Sequence, residues 1–304
     1  MVCHLLRHSR NYRISLFAML KKMIHQTRFE LPEIEINLEG DVLVFDKPYQ
    51  CTSFDLVCKV KKYIRQRYFF YHKEHKECTK DTRKNNPIAN LCEPCEISCE
   101  LSGKKKSNNT TITKKIKIGH AGTLDPLATG VMIVCVGSFT KKIEQFQNQE
   151  KEYTGTFMLG ATTPSFDLEK PVDETFPIEH ITEQKILETA QSFLGEQEQI
   201  PPHFSAVKVD GKRAYLLARQ GVEPEIKPKI ITISEFEITR IAFPEVDFRI
   251  VCSKGTYVRS IARDFGQKLE SGAHLTALRR TKIGEFTVEK AIIPLITECS
   301  PTVP

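Results

Sequence analysis

A fold mixing helices and strands is what this sequence predicts, and three observations carry it. Tyr153, Gly155, Phe157 and Leu159 fall on one face of an alternating run, and Val246, Phe248, Ile250 and Cys252 alternate with Asp247, Arg249 and Val251. A period of two marks a strand with one buried face. Leu56, Val57, Val60 and Ile64 recur at helical spacing instead, and Ile181 to Leu194 reads as a second amphipathic helix closed by Gly195. Val131 to Val136 is apolar throughout, a short strand buried on both faces.

The 304 residues are enough to bury a substantial core, as one large domain or two. Net charge is only +6, yet it is unevenly spread. Residues 1–29 hold six Lys/Arg and no acid, and residues 59–117 hold sixteen against six acids, so the remainder is acidic. Such concentration suits a polyanion-binding surface, or a solvated loop. No secretory signal accompanies the ten cysteines, which read as reduced thiols of an intracellular protein. The longest N-terminal apolar run, Ile14 to Leu20, is too short to span a bilayer.

In chain order, residues 1–30 form a basic extension expected to be disordered. An organelle transit peptide fits the same residues, as does a start codon placed too early, with Met19 and Met23 as alternatives. Folded structure is expected from Leu31. Val42 to Phe45 reads as a strand and Asp46-Lys47-Pro48 as a turn; Thr52 and Asp55 then have capping-box spacing at the start of a helix. Residues 68–115 break the pattern, polar and cysteine-rich without sustained periodicity. His72, His75, Cys78, Cys92, Cys95 and Cys99 have plausible zinc-ligand spacing, but a disordered basic loop is the preferred reading and no metal is expected.

The stretch from Gly119 to Thr140 is the part around which the rest is organised. Gly119 and Gly122 bracket His120 and allow a sharp turn, and Pro126 holds Asp125 on a stiff, non-helical backbone. A lone acid on such a loop suits a nucleophile or a base; Asp-Pro also starts ordinary turns. No Gly-Lys-Ser/Thr follows, which excludes a P-loop.

The run Gly-His-Ala-Gly-Thr-Leu-Asp-Pro-Leu-Ala-Thr-Gly, residues 119–130, resembles the catalytic motif of the TruB family of tRNA pseudouridine synthases. Three further segments resemble that family in the same order: Lys151-Glu152-Tyr153, Lys254-Gly255-Thr256-Tyr257-Val258-Arg259, and Gly272-Ala273-His274 through Leu278-Arg279-Arg280. The resemblance spans roughly residues 39–290, less the insertion at 68–115. It implies an α+β domain over residues 31–290 with a central mixed, mostly antiparallel sheet and a thumb-like segment at 200–230. Residues 291–304 are then a short tail, with no C-terminal PUA domain.

The implied reaction turns uridine 55 of the tRNA T-loop into pseudouridine without a cofactor. Asp125 would be the nucleophile, at the base or at the sugar carbon. Arg259 would pair with it, and its place on the first turn of a helix, where a cation opposes the dipole, independently calls for an acidic partner. Tyr153 and Leu278 would pack on the extruded base, Tyr257 would line the pocket, and His120 would fill the vacated stack. Tyr153 is also a candidate acceptor for the C5 proton. Asp167 would orient an arginine or cap a turn, Lys47 would contact RNA or be a plain surface lysine, and Arg279 or Arg280 could reach phosphate. The partner implied is the T-loop and T-stem of tRNA, met by a cytoplasmic monomer with no membrane contact and no obligate protein partner. Two other readings stay open: a guide-RNA-dependent synthase of the same superfamily, and a non-catalytic tRNA-folding factor.

Overall fold

The computed structural model describes residues 28–81, 116–209, 211–222 and 224–297. Its sheet contains β1 (Gly40–Lys47), β2 (Ile118–Ala121), β3 (Thr129–Gly137), β4 (Lys151–Leu159), β5 (Gly195–Gln199), β6 (Lys229–Ala242), β7 (Glu245–Cys252) and β8 (Ala273–Ile283). The strand order is β1-β3-β8-β4-β7-β6-β5, with β2 pairing on β3 and residues 286–287 on β8. All these pairings are antiparallel except β3 with β8, where Arg279 faces Thr129 and Arg280 faces Gly130. The expected α+β fold with a mixed, mostly antiparallel sheet is the one found.

Residue type explains where the core lies. Val131 to Val136 of β3 are wholly buried, so this strand has no wet face, as its unbroken apolar run requires. One side of the sheet is closed by α1 (Ser53–Asp81), whose Leu56, Val60 and Ile64 meet Leu43, Phe45, Met132 and Val134. Another part is closed by α2 (Glu183–Gln191) and α3 (Val258–Lys268) over a phenylalanine cluster. There Phe157 stacks on Phe248 at 4.1 Å between centroids and meets Phe265 of α3 at 5.1 Å. Rings of this size contribute most to burial and, once interlocked, set the height of α3 above β4 and β7.

Helix starts follow the capping chemistry. The Asp55 amide donates to Thr52 Oγ1 at 3.0 Å and the Thr52 amide to Asp55 Oδ2 at 3.0 Å, the reciprocal pair the spacing predicts. Thr182 caps α2 through the Lys185 amide. One boundary differs from the sequence reading: α1 runs on to Asp81, through residues 68–81 where the insertion was expected to begin. Apolar periodicity stops there, but Ser53–Asp81 contains no Gly or Pro and is rich in Lys, Arg and Glu, so intrinsic propensity favours continued helix. The side chains of His72, His75 and Cys78, and all of residues 82–115 with Cys92, Cys95 and Cys99, lie outside the described residues, as do residues 1–27.

In the segment expected to be thumb-like, Lys208–Val209 pairs antiparallel with Lys212–Arg213 and a short helix follows at Ala214–Ala218. Gly211, at φ +79°, is in the turn; Asp210 lies outside the described residues.

Candidate active site

The acid arrives on the β2–β3 loop. Gly122 turns that loop at φ +93°, and Gly130 ends it at φ +106° against β8, where a Cβ would stand 2.1 Å from the Arg280 carbonyl oxygen. No other residue type fits that approach. Between them several backbone groups meet donors or acceptors from other elements. Ser53 Oγ, at the start of α1, accepts from the Leu124 amide at 2.8 Å and donates to the Leu124 carbonyl at 2.9 Å. Arg280 donates to the carbonyls of Val131 at 2.8 Å, Gly122 at 3.3 Å and Thr123 at 3.4 Å. Lys47 donates to the carbonyls of Cys51 at 2.6 Å, Pro48 at 2.9 Å and Pro126 at 3.4 Å. Buried carbonyls need such partners, and here they hold the peptide on both sides of Asp125.

The cation arrives on α3. Arg259 is 5% exposed and grips Asp125 with a two-point fork, Nε to Oδ2 at 2.8 Å and Nη2 to Oδ1 at 3.1 Å. Its remaining donors reach the Phe204 carbonyl at 3.1 Å and the Ser165 carbonyl at 3.3 Å. Asp167, itself buried, places Oδ2 3.6 Å from the same Nε. Burial works against the Arg259 cation, but Asp125 and then Asp167 more than offset it and strengthen its hold on the proton. The Asp125 side chain is 35% exposed, so the acid, unlike its partner, is open to a ligand. Asp125, Asp167, Arg259, Leu127, Leu168 and Leu278 line one cleft, charged at its floor and apolar along its walls.

Tyr153 and Tyr257 are electrostatic neighbours of Asp125, while His120 is a neighbour of Arg280; none of the three lines the cleft. Tyr153 is buried in β4 opposite Ile250 and Arg280; burial pushes its hydroxyl up and the Arg280 guanidinium pulls it back. Tyr257 precedes α3, with its hydroxyl also pushed up by burial. His120 lies on β2, and burial lowers its imidazole below the ordinary range, so the ring is neutral at pH 7.

Two expectations need correction. Lys47 is neither an RNA contact nor a surface lysine: it is fully buried, its ammonium is spent on three carbonyls, and burial lowers its pKa to about 8. A turn signal says that the chain reverses, not which way the side chain points. Arg280 does not reach for phosphate either. It is 1% exposed and donates inward, while Arg279, on the opposite face of β8, forks onto Asp46 at 2.6 and 3.2 Å. Ser53 was given no role by the sequence reading, and Arg280 was given a different one. Only the parity of β8 hinted at Arg280, since it shares a face with the cleft residue Leu278.

Among the described residues no three His, Cys, Asp or Glu side chains converge as metal ligands, and no helix is long and apolar enough to cross a membrane.

Fold and site together define an α+β domain with a cleft lined by a carboxylate paired with a buried guanidinium. Comparison with known proteins makes this specific. The TruB family pseudouridylate synthase N-terminal domain matches residues 109–258, and the tRNA pseudouridylate synthase B C-terminal domain matches residues 259–295. A tRNA pseudouridine synthase B of Flavobacterium johnsoniae is 51% identical over 255 residues, 84% of this chain and 93% of that protein. The namesake of Phocaeicola vulgatus is 48% identical over 84% of this chain and 90% of its own length. A chain in the crystal structure of a Cbf5-Nop10-Gar1 complex shares the fold at 22% identity, with a TM-score of 0.51 over 88% of this chain and 61% of that one. The protein belongs to the TruB family of pseudouridylate synthases.

Proposed function

We propose that this protein is a tRNA pseudouridine synthase that isomerises uridine 55 of the T-loop, with Asp125 as the nucleophile. The observation that carries the reading is the Asp125–Arg259 fork at the floor of an accessible cleft, in which the arginine is sealed and the acid is not. Attack requires an accessible carboxylate in a fixed orientation, and the guanidinium fork at 2.8 Å supplies that orientation. Asp125 bonds to the nucleoside, at the base or at the sugar carbon, and the N1–C1′ bond breaks; the base turns, C5 bonds to C1′ and the bond to Asp125 is released, and the proton leaving C5 is balanced by one gained at N1.

Extrusion of the target base costs a few kcal/mol, which contact with Leu278 and the buried Tyr153 face offsets in part. In this reading Tyr257 contributes to the pocket, Asp167 fixes the back of Arg259 at 3.6 Å, and the His120 ring serves the vacated stack. Tyr153 is the candidate acceptor for the C5 proton. The protein acts as a cytoplasmic monomer on the T-stem and T-loop, without a partner protein. Incubating it with an unmodified tRNA transcript and mapping pseudouridine tests this directly. Modification at position 55 alone is expected; an unmodified transcript at enzyme excess would overturn the reading.

A further inference from the structure

Gln199 ends β5, at the root of the thumb-like segment, and is 3% exposed. Both ends of its side-chain amide engage one residue: Oε1 accepts from the Tyr257 amide at 2.8 Å and Nε2 donates to the Tyr257 carbonyl at 3.1 Å. A side chain thus makes the closed pair of bonds that a neighbouring strand would make. Tyr257 is the residue before α3, in extended backbone with no side-chain cap, and its carbonyl also accepts the first helical bond, from Ile261. Arg259 follows two residues later. The next residue of the root continues the attachment: Ser260 Oγ donates to the Ile200 carbonyl at 2.9 Å. Gln199 is itself fixed by its ladder position opposite Lys229, whose ammonium lies 5.7 Å over the Tyr257 ring.

We infer that Gln199 is a positioning residue for the catalytic pair: by holding the Tyr257 peptide it sets where the first turn of α3 begins, and hence where the Arg259 fork meets Asp125. The inference rests on the proposed reaction and adds to it a residue that touches neither substrate nor acid. A buried amide can satisfy itself on many groups. Spending both ends on the peptide that launches the arginine-bearing helix is what gives it this role. The lever is short. Without the clamp, the Tyr257 amide and carbonyl lose partners in a buried place, and the helix start shifts to find others. Displacement of a catalytic group by about 1 Å is enough to cost about a hundredfold in rate.

The test compares Gln199→Leu, which removes both bonds, with Gln199→Glu, which keeps the acceptor but turns an oxygen on the Tyr257 carbonyl. Single-turnover pseudouridine formation, tRNA affinity and thermal midpoint are read for each, beside a core control, Ile186→Val in α2, which reports what mild destabilisation alone does. The wild-type protein on the same transcript checks the reaction first; its failure would overturn the function and this role together. With an active wild type, both Gln199 variants are expected to lose about 10–100-fold in single-turnover rate with affinity within about threefold. In a cycle with Arg259→Lys the losses should be strongly non-additive. Rates within twofold of wild type, losses no larger than the control's at equal thermal midpoint, or full additivity with Arg259→Lys would each overturn the assignment.

Discussion

The two walls of the cleft are held by different chemistry. On the acid side, three polar side chains from three elements (Lys47, Ser53 and Arg280) point at the backbone of one loop and leave the Asp125 carboxylate free. On the arginine side, the backbone is regular helix, and it is the functional group itself that is engaged, by Asp125, Ser165 and Phe204. A loop must have its peptides fixed from outside because it has no ladder of its own, whereas a helix needs only its start fixed. The outcome is a partly exposed acid, 35% accessible, against a buried arginine, 5% accessible.

The sharpest way to break this asymmetry is to neutralise the open side. Asp125→Asn keeps the shape and hydrogen-bonding capacity but removes the nucleophile, so turnover should fall by at least about 10⁴-fold while tRNA affinity stays within a few-fold. Loss of binding in parallel, measured by filter retention, would mean that the acid organises the cleft instead.

The arginine side should tolerate its own conservative change less well than charge conservation implies. Arg259→Lys keeps a cation but not the fork, so one Asp125 oxygen and two backbone carbonyls lose their donor. A fall of about 10²-fold in single-turnover rate is expected, with the thermal midpoint lowered as well. Unchanged kinetics would show that only net charge matters at this position.

How far the site was legible in the sequence follows the same division. Asp125 and Arg259 could be matched because each carries its constraint locally: a proline fixes one, and a helix-start cation demands an acid for the other. The strands could be read for a similar reason, since alternation in β4 and β7 and the unbroken run in β3 reflect one, one and no wet faces. The holding groups were not legible. Lys47 and Arg280 bear the residue types of an RNA surface, and their inward direction depends on carbonyls brought near by distant segments, Pro126 for one and Gly122, Thr123 and Val131 for the other. The end of α1 was misjudged for the converse reason. Apolar periodicity reports burial, and the helix continues where that periodicity ends.

Arg280 separates the holding role from any RNA role by stability instead of rate. Replacing it with Met strands the buried Val131 carbonyl and removes a donor from the part-buried carbonyls of Gly122 and Thr123, so urea unfolding should show a loss of about 2 kcal/mol. Its neighbour gives the contrast. Arg279 is 39% exposed in its pair with Asp46, and Arg279→Ala should cost less than about 1 kcal/mol. Equal losses would remove the distinction between the two faces of β8.

Lys47 tests the acid-side scaffold through pH. Its pKa is lowered by burial from 10.5 to about 8, so below pH 8 both folded and unfolded chains carry the proton and the folded state bears the full cost of a buried ammonium. Between pH 8 and 10.5 the folded state has released the proton and the unfolded state has not. The unfolded chain then binds more protons, and stability rises with pH. Lys151, lowered to about 8 by burial in the same way, titrates over the same window and would blur a measurement on one protein alone. The difference between wild type and Lys47→Met cancels it. From pH 7 to 9.5 the wild type should gain about 1–2 kcal/mol relative to that variant in urea unfolding. A flat difference would mean that the three carbonyls hold the ammonium charged throughout, a still tighter clamp on the Pro126 side of the loop than burial alone allows.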